Sequence, residues 1–274
     1  MYITFLDSFS DYKVPFRLNK EQFVRKFVEK LKIDFALSAG VFEQNSMAGF
    51  IFSSINYYEG KLTAYNGGTG VRPAYRGRSL TTRMYEYLIP LFKARKVKQC
   101  VLEVLTENDR AIWVYENIGF RKAKSYKCFK YDSGKIRVKK PSIDLEIFTV
   151  KHPNWHLYDR FSDHKPSFLD STRMINDNLA SETIIETHAE GQCIGYAIFQ
   201  PAFGRISQLG ISPGYRGMGV GANLIKYIQE TSHQKILTVI NIDEEATSAL
   251  EFYDQLGFTN QLNQYEMVLS LEES

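Results

Sequence analysis

The sequence predicts an α/β protein built as two tandem units, each a mixed, mostly antiparallel sheet with helices on both faces. Three observations lead there. First, "RPAYRGRSLTTRM" (Arg72–Met84) returns as "SPGYRGMGVGANL" (Ser212–Leu224), with a shared Pro, a shared Tyr-Arg-Gly and the same helical periodicity behind them. Second, "AIWVYENIGF" (Ala111–Phe120) returns as "ALEFYDQLGF" (Ala249–Phe258) with identical Ala-to-Tyr and Tyr-to-Gly-Phe intervals. Two matches in the same order mark a duplication. Third, each copy is preceded by extended segments joined by short turns, then runs strand–helix–strand. That crossover mixes parallel pairing into an antiparallel sheet.

The elements of the first copy follow in order. Asn19 with Gln22 three residues on has the form of a capping box, opening a helix with Phe23, Phe27 and Leu31 on its apolar side. "DFALSAGVFE", "AGFIFSSINYY" and "KLTAYNGGTGV" read as strands, with turns at Asn45-Ser46 and Glu59-Gly60. A helix with Leu80, Met84, Leu88 and Leu91 follows the first loop, and Pro90 within it should kink or end it. "QCVLEVL" is a strand and "DRAIWVYENI" a helix stopped by Gly119. In the second copy "ETIIETHAE", "CIGYAIFQ" and "RISQLGIS" are strands and "GANLIKYIQE" a helix. "KILTVINI" is then a strand, "ATSALEFYDQL" a helix stopped by Gly257, and "QYEMVLSL" a final strand. The polar, basic stretch around Gly134 and Pro141 is the expected linker, which gives a first domain at 1–133, a linker at 134–142 and a second domain at 143–274.

Bulk properties narrow the function classes. A formal net charge of +3 is mild and suits a small anionic ligand at least as well as a nucleic acid. Three scattered cysteines give neither a metal spacing nor a disulfide framework, so a reducing, cytoplasmic setting and no metal are expected. The start lacks the form of a signal peptide, and no stretch has the uninterrupted apolar length to cross a bilayer. The basic run "GKIRVKK" is short and has no aromatic interleaving, so nucleic acid is not an expected partner.

The loops carry the first chemistry. A strand that ends in a glycine-containing loop opening a helix presents unpaired backbone N–H groups and the positive end of the helix dipole to an anion. "RGMGVG" meets that demand in full, whereas in "RGRSLT" the second glycine is Ser79 and the third Thr81. It is no nucleotide P-loop, since no Gly-Lys-Ser/Thr ending follows, and no dinucleotide fingerprint, since the pattern opens with Arg behind hairpins.

Arg216–Gly221, as Arg-x-x-Gly-x-Gly, resembles the acetyl-CoA loop of the GNAT superfamily of N-acetyltransferases. Asn108, Ala111, Tyr115, Gly119 and Phe120 match the superfamily's second motif. The likeness covers both halves, so the chain resembles a tandem GNAT protein. It implies that acetyl-CoA is held by Arg76, Gly77, Arg78, Ser79, Leu80 and Thr81 in the first half. In the second half it implies Arg216, Gly217, Met218, Gly219, Val220 and Gly221. A strand splayed at Val71 or Ile211 would take the pantetheine arm, with Asn108 also on that arm, and an amine acceptor would attack the acetyl group directly.

Such aminolysis needs a base for an amine of pKa about 10 and an acid for the departing thiolate. Glu103 interrupts an apolar strand, and its "LEV" context resembles the ribosomal-protein alanine acetyltransferases, which makes it the candidate base. Tyr115 is the candidate acid and recurs as Tyr253, but Asn241 stands at the position of Glu103 and Ala246 at that of Asn108. The chemistry is therefore assigned to the first half, with Arg72, Arg76, Arg78 and Arg83 expected to reinforce its altered loop. Two other readings stay open: an active second half, or a non-catalytic acyl-CoA-binding module. The acceptor is a small molecule or a protein N-terminus, and the chain a monomer or homodimer. Tyr57, Tyr58, Tyr65 and Trp155 could line acceptor clefts or simply pack in cores.

Overall fold

The computed structural model describes residues 1–11, 18–162 and 164–272. In chain order come α1 (Tyr2–Ser8), α2 (Lys20–Phe23), β1 (Ala39–Glu43), β2 (Ser46–Tyr58), β3 (Lys61–Val71), α3 (Leu80–Ala94), β4 (Gln99–Leu105), α4 (Asp109–Ile118) and β5 (Arg121–Tyr131). There follow β6 (Glu146–Val150), α5 (Trp155–Tyr158), α6 (Thr172–Asn176), β7 (Thr183–Ala189), β8 (Gln192–Gln200), β9 (Arg205–Ile211), α7 (Val220–Thr231), β10 (Leu237–Asp243), α8 (Thr247–Gln255) and β11 (Thr259–Ser270). Among the described residues no helix is long and apolar enough to cross a membrane.

The chain forms two compact units. The first comprises Met1–Ala123 with Tyr265–Ser274, and the second Lys124–Gln264. This departs from the expected cut around 134–142, because most of β5 belongs to the second unit and the end of β11 to the first. Side-chain alternation gives the reason. Tyr265, Met267, Leu269 and Leu271 pack into the core of Tyr85, Leu88, Leu102 and Tyr115, whereas Phe129 and Tyr131 pack with Tyr253 and Phe258. The linker is also no free tether. Ile136 is buried in the second unit's core, its N–H donating to Gln229 Oε1 at 2.8 Å.

Within the first unit the strand order is β1-β2-β3-β4-β11, and within the second β5-β10-β9-β8-β7-β6. β1, β2 and β3 are antiparallel neighbours, and β4 is parallel to β3. That parallel register covers only Thr63–Tyr65 against Gln99–Val101. Beyond it β3 keeps its pairing with β2 up to Val71 but loses β4. β9 and β10 repeat the pattern, pairing only at Arg205–Ile206 with Thr238–Val239. In each unit the two central strands therefore splay toward the loop.

The expected capping box is present, with Asn19 Oδ1 accepting from the Gln22 N–H at 2.8 Å and Gln22 Oε1 from the Asn19 N–H at 3.0 Å. After α2 the helix widens to a π-helical turn at Val24–Glu29. β4 and α4 have the predicted bounds, and Gly119 closes α4 in the left-handed region at φ 114°. α3 differs from expectation: it runs through Pro90 to Ala94. Leu88 and Phe92, buried on either side, carry the helix past the hydrogen bond that Pro90 cannot make.

If Tyr265–Ser274 is integral to the first unit, Met267→Ala should cost about 2–5 kcal/mol in urea unfolding, as for any fully buried large-to-small change. A cost of a few tenths, as at an exposed position, would show the strand to be undocked.

Candidate active site

The two loops adopt one conformation despite their different sequences. Pro73–Tyr75 and Pro213–Tyr215 each form a 3₁₀ turn, and Arg76 and Arg216 are extended. Gly77 and Gly217 then lie at φ 78° and 77°, and Ser79 takes the left-handed position that Gly219 holds in the second loop, at 54° against 84°. Nothing lies within 4 Å of where a Cβ on Gly77 or Gly217 would point, so the main chain is open on that side. The helices' first internal bonds run from Arg83 N–H to Ser79 O and from Asn223 N–H to Gly219 O. The amides of Leu80, Thr81 and Thr82, and of Val220, Gly221 and Ala222, thus lack intrahelical acceptors. Leu80 and Val220, the first residues of the two helices, are buried. At Gly221 a Cβ would come within 3.0 Å of Phe252, so that glycine serves the packing of α7 on α8.

The loop arginines have a different job from the expected one. Arg76 turns back, its Nε donating to Val71 O at 3.2 Å and its Nη2 to Ser8 O at 2.9 Å. It also pairs with Asp11, and this hydrogen bond holds the Asp11 carboxyl below its usual range. Arg216 repeats the hold, on Ile211 O at 3.2 Å and Phe161 O at 3.1 Å. Both arginines staple the loop to the end of the splayed strand. Arg72 is bound to Asp7 and Ser46. Arg78 lies over the Tyr75 ring at 5.2 Å with the Glu43 carboxylate 3.9 Å from its guanidinium, and Arg83 is exposed, so of the four these two face solvent.

Glu103 lies half-buried where the β3–β4 pairing has ended. Its Oε2 accepts from the Tyr65 hydroxyl at 2.5 Å. Cys100, Leu102 and Val104 face the α3–α4 core, so alternation turns Glu103 to the other face, the one bearing Tyr65 and Val101. On that face the Oγ of Ser54, which is Tyr65's register partner, is buried without a hydrogen bond. Tyr58 there donates to the buried Glu266 at 2.9 Å. Glu266, which sequence reasoning passed over, has the same signature as Glu103: an acid between apolar residues in "YEMVL".

Tyr115 lies on the opposite side of the sheet, on α4, with rings of Tyr85 and Phe120 at 6.3 and 5.6 Å. Burial pushes the Tyr85 phenol well up, and its oxygen accepts from Asn66 Nδ2 at 2.7 Å. Asn66 is the first residue of β3 without a β4 partner. Glu103 and Tyr115 therefore lie on opposite faces of the sheet. Asn108 Oδ1 caps α4, accepting from the Ala111 N–H at 3.2 Å.

The second unit is closed at the equivalent places. Asn241 sits in a β-bulge at φ 57°, and its Oδ1 accepts from Gln264 Nε2 at 3.1 Å. Arg205, which corresponds to Tyr65 when counted from the loop arginine, is buried on Asp170 at 2.6 Å. Tyr253 is buried against Phe129 and Phe258, and burial pushes its phenol well up. The linker also lies on the intact glycine loop: Ser142 N–H donates to Met218 O at 3.3 Å, and Pro141 Cα is 3.5 Å from where a Gly219 Cβ would be. Of the four aromatics named from the sequence, Tyr58 and Tyr65 join the polar face, Tyr57 is half exposed, and Trp155 donates to Asn176 at 3.0 Å.

A splayed parallel pair with a helix-opening loop at its mouth, present twice, defines an acyltransferase-type fold. Residues 5–120 match the acetyltransferase (GNAT) family model, and residues 180–260 match the acetyltransferase (GNAT) domain model. The chain belongs to the GNAT family as a tandem acetyltransferase. It is similar to a GCN5-related N-acetyltransferase from Sphaerobacter thermophilus, with a TM-score of 0.71 at 14% identity over 99% of this chain and 92% of that one. A tandem GNAT protein from the clavulanic acid biosynthesis pathway superposes with a TM-score of 0.67 at 12% identity, over 99% and 94% of the two chains. At such identities the likeness is one of fold. The 5-NmdU N-acetyltransferase of Pseudomonas phage PaMx11 is 37% identical over 51 residues, 19% of this chain and only 36% of that protein's length.

Ser79 holds its left-handed conformation at a cost of roughly 1 kcal/mol relative to glycine. Ser79→Gly should therefore raise the stability of the first unit by about that amount in thermal or urea unfolding. No gain would mean that the hydroxyl offsets the backbone cost.

Proposed function

We propose that the chain is an acetyl-CoA-dependent N-acetyltransferase whose chemistry is done in the first unit. The observation that carries this reading is the Tyr65–Glu103 pair at the point where β3 and β4 part, in the unit whose loop has a glycine-like cradle. When bound, acetyl-CoA supplies an acetyl thioester and an anionic pyrophosphate. The cradle fits such an anion: open main chain at Gly77, a left-handed Ser79, and the partnerless amides of Leu80, Thr81 and Thr82. Gly217, Met218, Gly219, Val220 and Gly221 form the equivalent cradle in the second unit, partly covered by Pro141 and Ser142.

The unpaired stretch ending at Val71 offers main-chain groups to the pantetheine arm, and Ile211 ends the equivalent stretch of β9. Glu103 takes the proton of the acceptor amine at a carboxylate oxygen, directly or through water, while Tyr65 fixes that carboxylate's orientation. Tyr115 gives a proton to the departing sulfur from the other face. Asn108 holds the start of α4, and with it the placing of Tyr115. The acceptor is a primary amine, a small molecule or a protein N-terminus in the cytoplasm. In this reading the duplicated modules, cut at 134–142 in the sequence, survive as two units with exchanged end strands. The second unit is a binding or structural partner, since Asn241 has no base to offer. An active second unit is favoured by one observation, its intact glycine loop.

Glu103→Gln should slow acetyl transfer by about 10²–10⁴-fold with unchanged melting. Tyr115→Phe should slow it by about ten- to a hundredfold. Wild-type rates in both variants would remove the first unit from the chemistry. Gly219→Val should leave turnover intact while reducing the acetyl-CoA stoichiometry in calorimetry. Loss of all transfer in that variant would move the reaction to the second unit.

A further inference from the structure

We propose that Glu186, His188 and Cys193 in the second unit form a binding site for a zinc-type divalent cation. One ligand atom from each lies within 4.8 Å of the others. All three stand on one face of the β7–β8 hairpin. Glu186 and His188 are two apart on β7 and so share a face. Cys193 joins them through an irregularity: the register steps from Thr187 opposite Gly195 to His188 opposite Cys193, which leaves Ile194 as a bulge residue. Regular pairing would have put Ile194 opposite His188. The bulge instead brings a thiol beside an imidazole, and bulges commonly re-aim side chains at sites.

The donor set is that of zinc rather than of a hard cation: one imidazole nitrogen, one thiol sulfur and one carboxylate oxygen. Bonds of about 2.0–2.3 Å at tetrahedral angles place such atoms roughly 3.3–3.6 Å apart. His188 Nε2 and Glu186 Oε2 are 2.9 Å apart, so an ion entering between them opens that contact slightly. It also draws in the Cys193 sulfur by side-chain rotation on a fixed hairpin. Outer contacts are already set. Tyr158 donates to Glu186 Oε1 at 2.7 Å, leaving Oε2 to the ion, and the Phe148 ring stands edge-on to His188 at 5.0 Å. Side-chain exposures of 23% for His188 and 14% for Glu186 leave a way in for the ion and a fourth position for water.

The other chemistry open to a thiol, an imidazole and a carboxylate is nucleophilic catalysis. It is disfavoured by geometry, since His188 Nε2 is engaged by Glu186 Oε2 at 2.9 Å and the Cys193 thiol donates to Gly195 O at 3.5 Å rather than to the imidazole. Coordination deprotonates a thiol outright, so the same residue serves a metal. The bound ion pins β7 to β8 and, through Glu186, α5.

The test uses the full chain stripped with chelator and titrated separately with Zn²⁺ and Co²⁺. The expected result is one ion per chain by elemental analysis and, with Co²⁺, an intense thiolate-to-metal absorption band. Cys193→Ser should abolish the band, and His188→Gln should weaken Zn²⁺ binding at least tenfold. Tyr158→Phe should weaken it by about ten- to a hundredfold, with the band retained. Absence of the band in the wild-type chain overturns the site, as does Zn²⁺ binding of equal affinity in the Cys193→Ser and His188→Gln variants. Melting curves of the metal-free variants separate lost ligands from lost folding, and the wild-type band decides the matter if a variant does not fold.

Discussion

The structure depends on a parallel strand pair that stops early. β3 and β4 share three rungs and part, while β3 continues to Val71 held only by β2 on its other side. Main-chain N–H and C=O groups cannot stay buried without partners. The edge of β3 beyond Tyr65 is capped in part by its own surroundings, Asn66 Oδ1 accepting from the Gly68 N–H and Arg76 donating to Val71 O, and what is left suits solvent or an extended ligand. In the proposed reaction this opening is where Glu103 and Tyr115, on opposite faces of the sheet, would meet the substrates. The loop arginine is part of this constraint: by gripping Val71 O, Arg76 anchors the loop to the end of the splayed strand.

The two units show which parts of such a site tolerate change. An anion cradle is made of main chain, so its requirement is conformational, and Ser79 meets it at φ 54° with a modest cost. Proton transfer is made of one side chain at one position. Replacing an acid there with Asn241, and folding that residue into a bulge held by Gln264, leaves no group of suitable basicity. On the proposed mechanism, the first unit has changed what main chain can replace, and the second what it cannot. Arg205 on Asp170 completes the difference, because a buried, paired guanidinium occupies the place from which Tyr65 orients Glu103 in the first unit.

Elements whose signals are local were legible in the sequence. The capping box at Asn19, the bounds of β4 and α4, the Gly119 cap and the two loops all rest on residues acting within a few positions. The acid in an apolar strand also pointed correctly to an unusual environment for Glu103. What was hidden depends on distant partners. The assignment of Tyr265–Ser274 to the first unit follows from where four alternating side chains pack, and alternation alone suits either unit. The burial of Ile136, the inward turn of Arg76 and the Tyr65–Glu103 bond join residues far apart in the chain. Cysteine spacing likewise gave no sign that Cys193 stands beside His188, since that grouping is created by a bulge that no spacing rule contains.

The inward turn of both loop arginines bears on how such a site attracts its ligand. An arginine donating to a phosphate would make binding a matter of paired charges, steeply screened by salt. Arg76 and Arg216 spend their donors on main-chain carbonyls, and Arg76 is further paired with Asp11. Apart from Arg78 and Arg83 in the first unit, attraction for an anion then falls to oriented amides and the dipole of a helix, 15 residues long in α3 and 12 in α7, which act at short range. Such a cradle selects by shape and by the number of N–H groups it aims. Its specificity therefore rests on holding the left-handed positions in place, and the arginines secure those from behind by tying the loop to the strand.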